Sequence, residues 1–177
     1  LGEVADGICA YIDNREISTE ELMQYIKAPD FPTGGIICGT KGVREAYETG
    51  RGKVIIRAKT DIEVTDSGRE VIVISELPYQ VNKAELIKQI WDLAEEKKVE
   101  GISFINDESD RNNRVRIVVK VKKDAVANVV LNHLFKHTPM QSSFSINNIV
   151  LVDGRPRLLA LKELIHYYVK HRHEVVL

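Results

Sequence analysis

Apolar residues Leu1, Val4, Ile8, Tyr11 and Ile12 recur at helical spacing, so the chain is expected to open on a helix. A second helix is expected from Ser18. Ser18 and Glu21 have the spacing of a capping box, and Ile17 and Leu22 that of the matching hydrophobic staple. The run Pro29-Asp30-Phe31-Pro32-Thr33-Gly34-Gly35 breaks regular structure. A short apolar stretch, Ile36 to Cys38, precedes a helix-like Val43 to Glu48 and a tight turn at Thr49 to Gly52. From Val54 to Val64 the residues are β-branched and roughly alternating, which predicts one strand. Asp66-Ser67-Gly68 predicts a hairpin turn, and Glu70 to Ser75 the returning strand.

Asn82 and Glu85 form a second capping box, stapled by Val81 and Leu86, for a helix to about Lys97. Strands are expected at Ile102 to Ile105 and Val115 to Val121, joined by a turn at Arg111-Asn112-Asn113. A helix capped by Asp124 is expected to run to about His137, followed by a strand from Phe144 to Val152. Asp153-Gly154-Arg155-Pro156 then turns the chain into a final helix from about Leu161, a pattern expected to continue into a longer helical element. Glu70 to Val152 thus reads β-α-β-β-α-β. The order predicts an α+β fold, a split sandwich with two helices on one face of an antiparallel sheet.

Composition fits an ordinary soluble globular protein, 44% hydrophobic and 29% charged over 177 residues. No run approaches the roughly 18 consecutive apolar residues of a membrane span, and Leu1 to Asp6 has no basic start of a signal peptide. Cys9 and Cys38 are too few and too far apart for a disulfide framework or a zinc site, and are expected to be buried small hydrophobes in a reducing cytoplasm. The formal net charge of −1 hides a dipolar chain. Ile36 to Lys59 holds six basic residues (Lys41, Arg44, Arg51, Lys53, Arg57, Lys59) against two acidic ones; Thr60 to Gln80 holds five acidic against one basic. One basic face can attract phosphates even when the total cancels.

Two clusters that suggest metals fail on spacing. His166, His171 and His173 spread around a helix instead of stacking on one face. Asp107, Glu108 and Asp110 lack the glycine and spaced donors of a calcium loop. No metal site is expected.

Four segments read in order carry a resemblance. They are Pro29 to Gly35 above, Ala46-Tyr47-Glu48-Thr49-Gly50-Arg51-Gly52-Lys53, Glu76-Leu77-Pro78-Tyr79-Gln80-Val81-Asn82-Lys83, and Val99-Glu100-Gly101-Ile102 leading to Asp107-Glu108-Ser109-Asp110. Together, over essentially the whole chain, they resemble the A subunits of the bacterial type IIA topoisomerases, gyrase and topoisomerase IV. Arg51 and Gln80 favour the gyrase branch. The resemblance implies a DNA-bending tower over residues 1–160, including the N-terminal connecting helices, and the start of the coiled-coil dimer-gate arm over 161–177. It implies duplex DNA as ligand. Its implied protein partners, in an A2B2 assembly, are the gyrase B subunit plus a second copy of the A chain. Magnesium and ATP would be bound through the B subunit, with no cofactor on this chain.

The resemblance also assigns residues. Ile37 matches the isoleucine that wedges between base pairs; from the residue pattern alone it reads as an ordinary core residue of a short strand, and a one-residue shift would exchange it with Ile36. Arg51 and Lys53 flank Gly52 in a turn that would let a phosphate backbone approach, and Lys41 and Arg44 extend the basic face. The family's DNA-cutting tyrosine follows an arginine, whereas none of the six tyrosines here does. No catalytic residue is therefore assigned, and the chain alone is expected to do no chemistry. The alternative is a free-standing RNA-recognition or small-ligand module of the same β-α-β-β-α-β order. Val115 to Val121 lacks the stacking aromatics an RNA-recognition module needs there.

Overall fold

A computed structural model describes all residues Leu1–Leu177, and the α+β class is borne out. The chain divides into two compact units: Leu1–Asp30, Gly39–Ile55 and Ser143–Leu177 form the first, Phe31–Cys38 and Ile56–Ser142 the second.

The second unit is the sandwich. Strands β3 (Lys59–Val64), β4 (Glu70–Glu76), β5 (Ile102–Asp107) and β6 (Ile117–Val121) form a sheet of order β3-β4-β6-β5, antiparallel throughout. Helix α4 (Lys83–Glu95) follows β4 and α5 (Ala127–His137) follows β6. Alternation along the strands sends Ile72, Ile74, Ile117, Val119 and Val121 to one face, where they pack with Leu86 and Ile90 of α4 and Ala127, Val130 and Leu134 of α5. Burying each large aliphatic side chain there contributes about 1.5–3 kcal/mol. Val71, Val73 and Val118 form a smaller cluster on the opposite face.

Both expected N-caps form. Ser18 accepts the Glu21 amide at 3.2 Å, with Ile17 and Leu22 buried beside it, although helix α2 (Thr19–Leu22) is a single turn. Asn82 accepts the Glu85 amide at 3.2 Å at the head of α4. Other expectations are corrected. The predicted strand Val54 to Val64 is two strands, β2 (Arg51–Arg57) and β3, divided at buried Ala58, whose N–H turns away to donate to the Met140 carbonyl at 2.8 Å. Asp124 does not cap α5; the Ala127 N–H at its start is taken by Glu70 from β4 at 3.0 Å. Phe144 to Val152 is also split, into β7 (Gln141–Asn147) and β8 (Ile149–Val152), and neither joins the four-stranded sheet, whose edge place is taken by β3. β7 is instead the neighbour of β2, both mostly in the first unit, while β1 (Ile36–Cys38) lies in the second. The cysteines are not buried: Cys9 is exposed and Cys38 half-buried. Cys9 lies between Gly7 and Tyr11, the buried positions of α1 (Gly2–Asp13), so the helical period turns it outward.

In the first unit, α1, α2, α3 (Lys41–Thr49) and α6 (Leu161–Val176) associate, so α6 groups with these helices. Ile165 of α6 is buried, and the Tyr11 hydroxyl hydrogen-bonds His166 Nδ1 at 2.7 Å. The segment expected to be a turn after β8 is a hairpin: Asp153 and Gly154, with φ of 50° and 75°, return the chain as β9 (Arg155–Leu158). No helix is long and apolar enough to cross a membrane.

Candidate nucleic-acid interface

In the second unit, the segment leading into β1 is fixed by glycines that no other residue replaces easily. Gly34 and Gly35 have φ of 74° and 98°, in the region that disfavours a Cβ. Space excludes a side chain as well: a Cβ on Gly35 would lie 3.0 Å from Ile56 Cγ2 and 3.3 Å from the Arg57 carbonyl oxygen. The freed Gly35 N–H donates to Glu76 Oε2 at 2.8 Å, and the Phe31 ring meets Tyr79 at 5.5 Å between centroids. The segment before β1 is therefore held to the end of β4 by a hydrogen bond to a carboxylate, and to the loop after β4 by a ring contact. On β1, Ile36 is 49% exposed and Ile37 half-buried, and neither belongs to the buried core. The two side chains point to opposite faces of the strand. Of the two, Ile36 is the more openly presented.

In the first unit, Lys41 and Arg44 stand exposed on α3, and Arg51 and Lys53 stand exposed on β2. Two glycines set the helix on the strand. A Cβ on Gly42 would collide with the Lys53 carbonyl oxygen, and one on Gly52 with the Gly42 carbonyl oxygen. With neither side chain present, the α3 backbone lies directly against β2. Val43, Ala46 and Tyr47 of α3 are buried, as is Val54 of β2. Burial pushes the Tyr47 phenol up to about 12, with the charges of Glu3 and Asp30 adding to the rise.

This geometry corrects the expected turn. The chain reverses at Thr49 and Gly50, where Gly50 ends α3 in the left-handed conformation with φ of 86°, and Arg51 already begins β2. Gly52 is not bare backbone for a phosphate; it is occupied by helix packing. Period-two alternation then puts Arg51, Lys53, Ile55 and Arg57 on the exposed face of the strand, with Val54 and Ile56 behind them.

The cations differ in how far they are already neutralised. Arg44 donates from Nε to Glu48 at 3.0 Å and lies 3.7 Å from Glu20. Its guanidinium is raised above its ordinary value by the Glu48 hydrogen bond first and the Glu20 charge next. Arg57 hydrogen-bonds Gln141 at 2.7 Å and lies over the Phe135 ring. Lys41, Arg51 and Lys53 make no ion pair, which leaves three exposed cations on α3 and β2 without a carboxylate partner. The sequence pattern did not reveal the positioning residues Glu76, Gly42 and Gly52. Gly42 left one signal, a glycine immediately before the helix-like run Val43 to Glu48.

The profile of the family of DNA gyrase/topoisomerase IV A subunits matches residues 1–177. The chain belongs to this family. It is 54% identical over 176 residues to the DNA gyrase A subunit of Clostridium acetobutylicum, covering 99% of this chain and 21% of that protein. The Escherichia coli K12 counterpart, likewise a DNA gyrase A subunit, is 54% identical over 177 residues, with 99% and 20% covered. That of Treponema pallidum is 52% identical, with 99% and 22% covered. The chain thus spans about a fifth of the length of these relatives. With the gyrase/topoisomerase IV family matched from end to end, the free-standing RNA-recognition or small-ligand module is set aside.

Proposed function

We propose that this chain binds and bends duplex DNA as the tower of a gyrase A subunit. The observation that carries the reading is the end-to-end family match, joined to three exposed, unpaired cations on α3 and β2. Lys41, Arg51 and Lys53 supply phosphate contacts that hold the duplex without reading its sequence. Arg44 joins them once DNA competes for its carboxylate partners. Ile37 is the wedge: inserting an apolar side chain at a base step costs a few kcal/mol of stacking and leaves a kinked duplex that touches more protein.

In the whole enzyme this bending prepares a DNA segment to be broken, passed and rejoined, with a change in supercoiling driven by ATP. The chain itself contributes no catalytic tyrosine, no metal ligand and no cofactor site. ATP and magnesium belong to the B subunit, and the enzyme is built from two A and two B chains. Residues 161–177 start the coiled-coil arm, and the enzyme works in the cytoplasm.

Arg51→Ala and Lys53→Ala, each made in the full-length protein, test the phosphate contacts. Each is expected to weaken duplex binding for all sequences alike and to lower the slope of log affinity against log salt by about 0.9, the counterions released per contact. Equilibrium titration of a labelled duplex across a salt series measures this. An unchanged slope in both variants means that these cations only face water.

A further inference from the structure

The hairpin joining β5 to β6 lies in the same unit as Ile37 and carries cations that the basic face of α3 and β2 does not include. Asp110 gives the loop its shape: its Oδ1 accepts the Asn112 amide at 2.8 Å and the Asn113 amide at 2.6 Å, and its own N–H donates to the Asn113 carbonyl at 2.8 Å. The loop faces the segment that enters β1 across a cavity of about 520 Å³, lined among others by Pro32, Thr33, Leu77, Lys83, Arg111 and Arg114. Thr33 is followed at once by the glycine pair that fixes β1.

The charges around this loop fall into two sets. Lys83 is paired with Asp107 at 2.9 Å, and a Ser109 hydrogen bond together with Lys83 holds that carboxyl below its ordinary value. Arg116 is paired with Glu108 at 3.3 Å and Glu63 at 3.8 Å. Asp110 is engaged by the loop's own amides. Arg111 and Arg114 are exposed and make no ion pair, so nearby carboxylates neutralise Lys83 and Arg116 and leave these two without a carboxylate partner. A guanidinium's fork of donors matches phosphate oxygens, and two of them across a cavity from the segment leading to the proposed wedge suit a kinked duplex, where backbone contacts must hold the DNA while a base step opens.

We propose that Arg111 and Arg114 are a second set of phosphate contacts, gripping duplex DNA beside the strand that carries Ile37. The proposal rests on the duplex-binding reading above and extends it to a loop that reading does not use. The test is a double variant, Arg111→Ala with Arg114→Ala, in the full-length protein, titrated against a labelled duplex from low to high salt beside Arg51→Ala and the unsubstituted protein. The double variant is expected to lower the log–log salt slope by about 1.8 and to weaken binding on the order of tenfold to a hundredfold near 0.1 M salt. Its urea midpoint should be unchanged, and Arg111→Lys with Arg114→Lys should restore most of the slope. An unchanged slope in the double variant, with a lowered slope in Arg51→Ala, overturns the proposal and leaves the duplex-binding reading standing. Unchanged slopes in both overturn the reading itself. A shifted urea midpoint also overturns the proposal, because the arginines would then be structural.

Discussion

Gly42→Ala is expected to destabilise the protein by about 2–3 kcal/mol, the cost of forcing an extra carbon into a packed contact. The direction is opposite to the usual one. In an open helix, glycine to alanine gains roughly 0.5–1 kcal/mol, because glycine has more conformational freedom to lose. Here the new Cβ meets the Lys53 carbonyl oxygen, a backbone atom that no rotamer change can move aside. Helix α3 must lift from β2, and buried Val43, Ala46 and Tyr47 lose their seating with it. Because the same strand presents Arg51 and Lys53, duplex affinity should fall together with stability. Gly2→Ala is the control: it lies in α1 with nothing within 4 Å of the added carbon, and should be neutral or slightly stabilising. Urea unfolding of both variants decides the matter. A Gly42→Ala protein as stable as the parent would show that α3 and β2 are not packed backbone to backbone.

Ile37→Ala separates bending from binding. If Ile37 offsets the cost of kinking, its loss should reduce the bend, read by fluorescence transfer between the ends of a labelled duplex, far more than it reduces affinity. The proposed phosphate contacts, expected to supply most of the affinity, would remain. Since Ile37 is half-buried and outside the core, the substitution should cost about 1 kcal/mol of stability or less, against the roughly 2–5 kcal/mol typical of a truncated core isoleucine. Ile36→Ala runs beside it, because the two side chains take opposite faces of β1 and only one can enter a base step. A strongly destabilised Ile37→Ala whose folded fraction bends DNA normally would remove the wedge. A bend lost only in Ile36→Ala would move the wedge by one residue.

Local signals in the sequence were reliable where the physics was local. Ser18 and Asn82 each stand three residues before a glutamate, and each accepts the amide their spacing demands. Glu70 to Ser75 and Val115 to Val121 read as strands from their β-branched residues, and β4 and β6 form there. Failures came where distant chain decides. Ala58 interrupts a β-branched run without any breaker residue, because Met140, far along the chain, takes its N–H. The cap of α5 comes from Glu70, which no reading of residues near Asp124 reveals. Arg155 to Leu158 is short, holds a proline and has no β-branched residue, so only its pairing with β8 makes it a strand.

The site divides along the same line. The cations were legible from charge clustering, and the family resemblance was legible from four ordered motifs. What holds them was not: Gly42 and Gly52 act through an unexpected helix-on-strand contact, and Glu76 reaches back 41 residues to Gly35. The same limit explains Gly52, which as a sequence feature suggests a turn open to phosphate and in the folded chain sits under a helix.

Gripping duplex DNA through its phosphate backbone is the role proposed for the protein to which this chain belongs. The most direct measurement compares affinity of the full-length protein for one sequence as duplex DNA, single-stranded DNA and RNA across a salt series. Duplex DNA is expected to be bound most tightly, with log affinity falling linearly with log salt at about 0.9 per phosphate contact. Tighter binding of the single strand or of RNA, or duplex binding indifferent to salt, would contradict it.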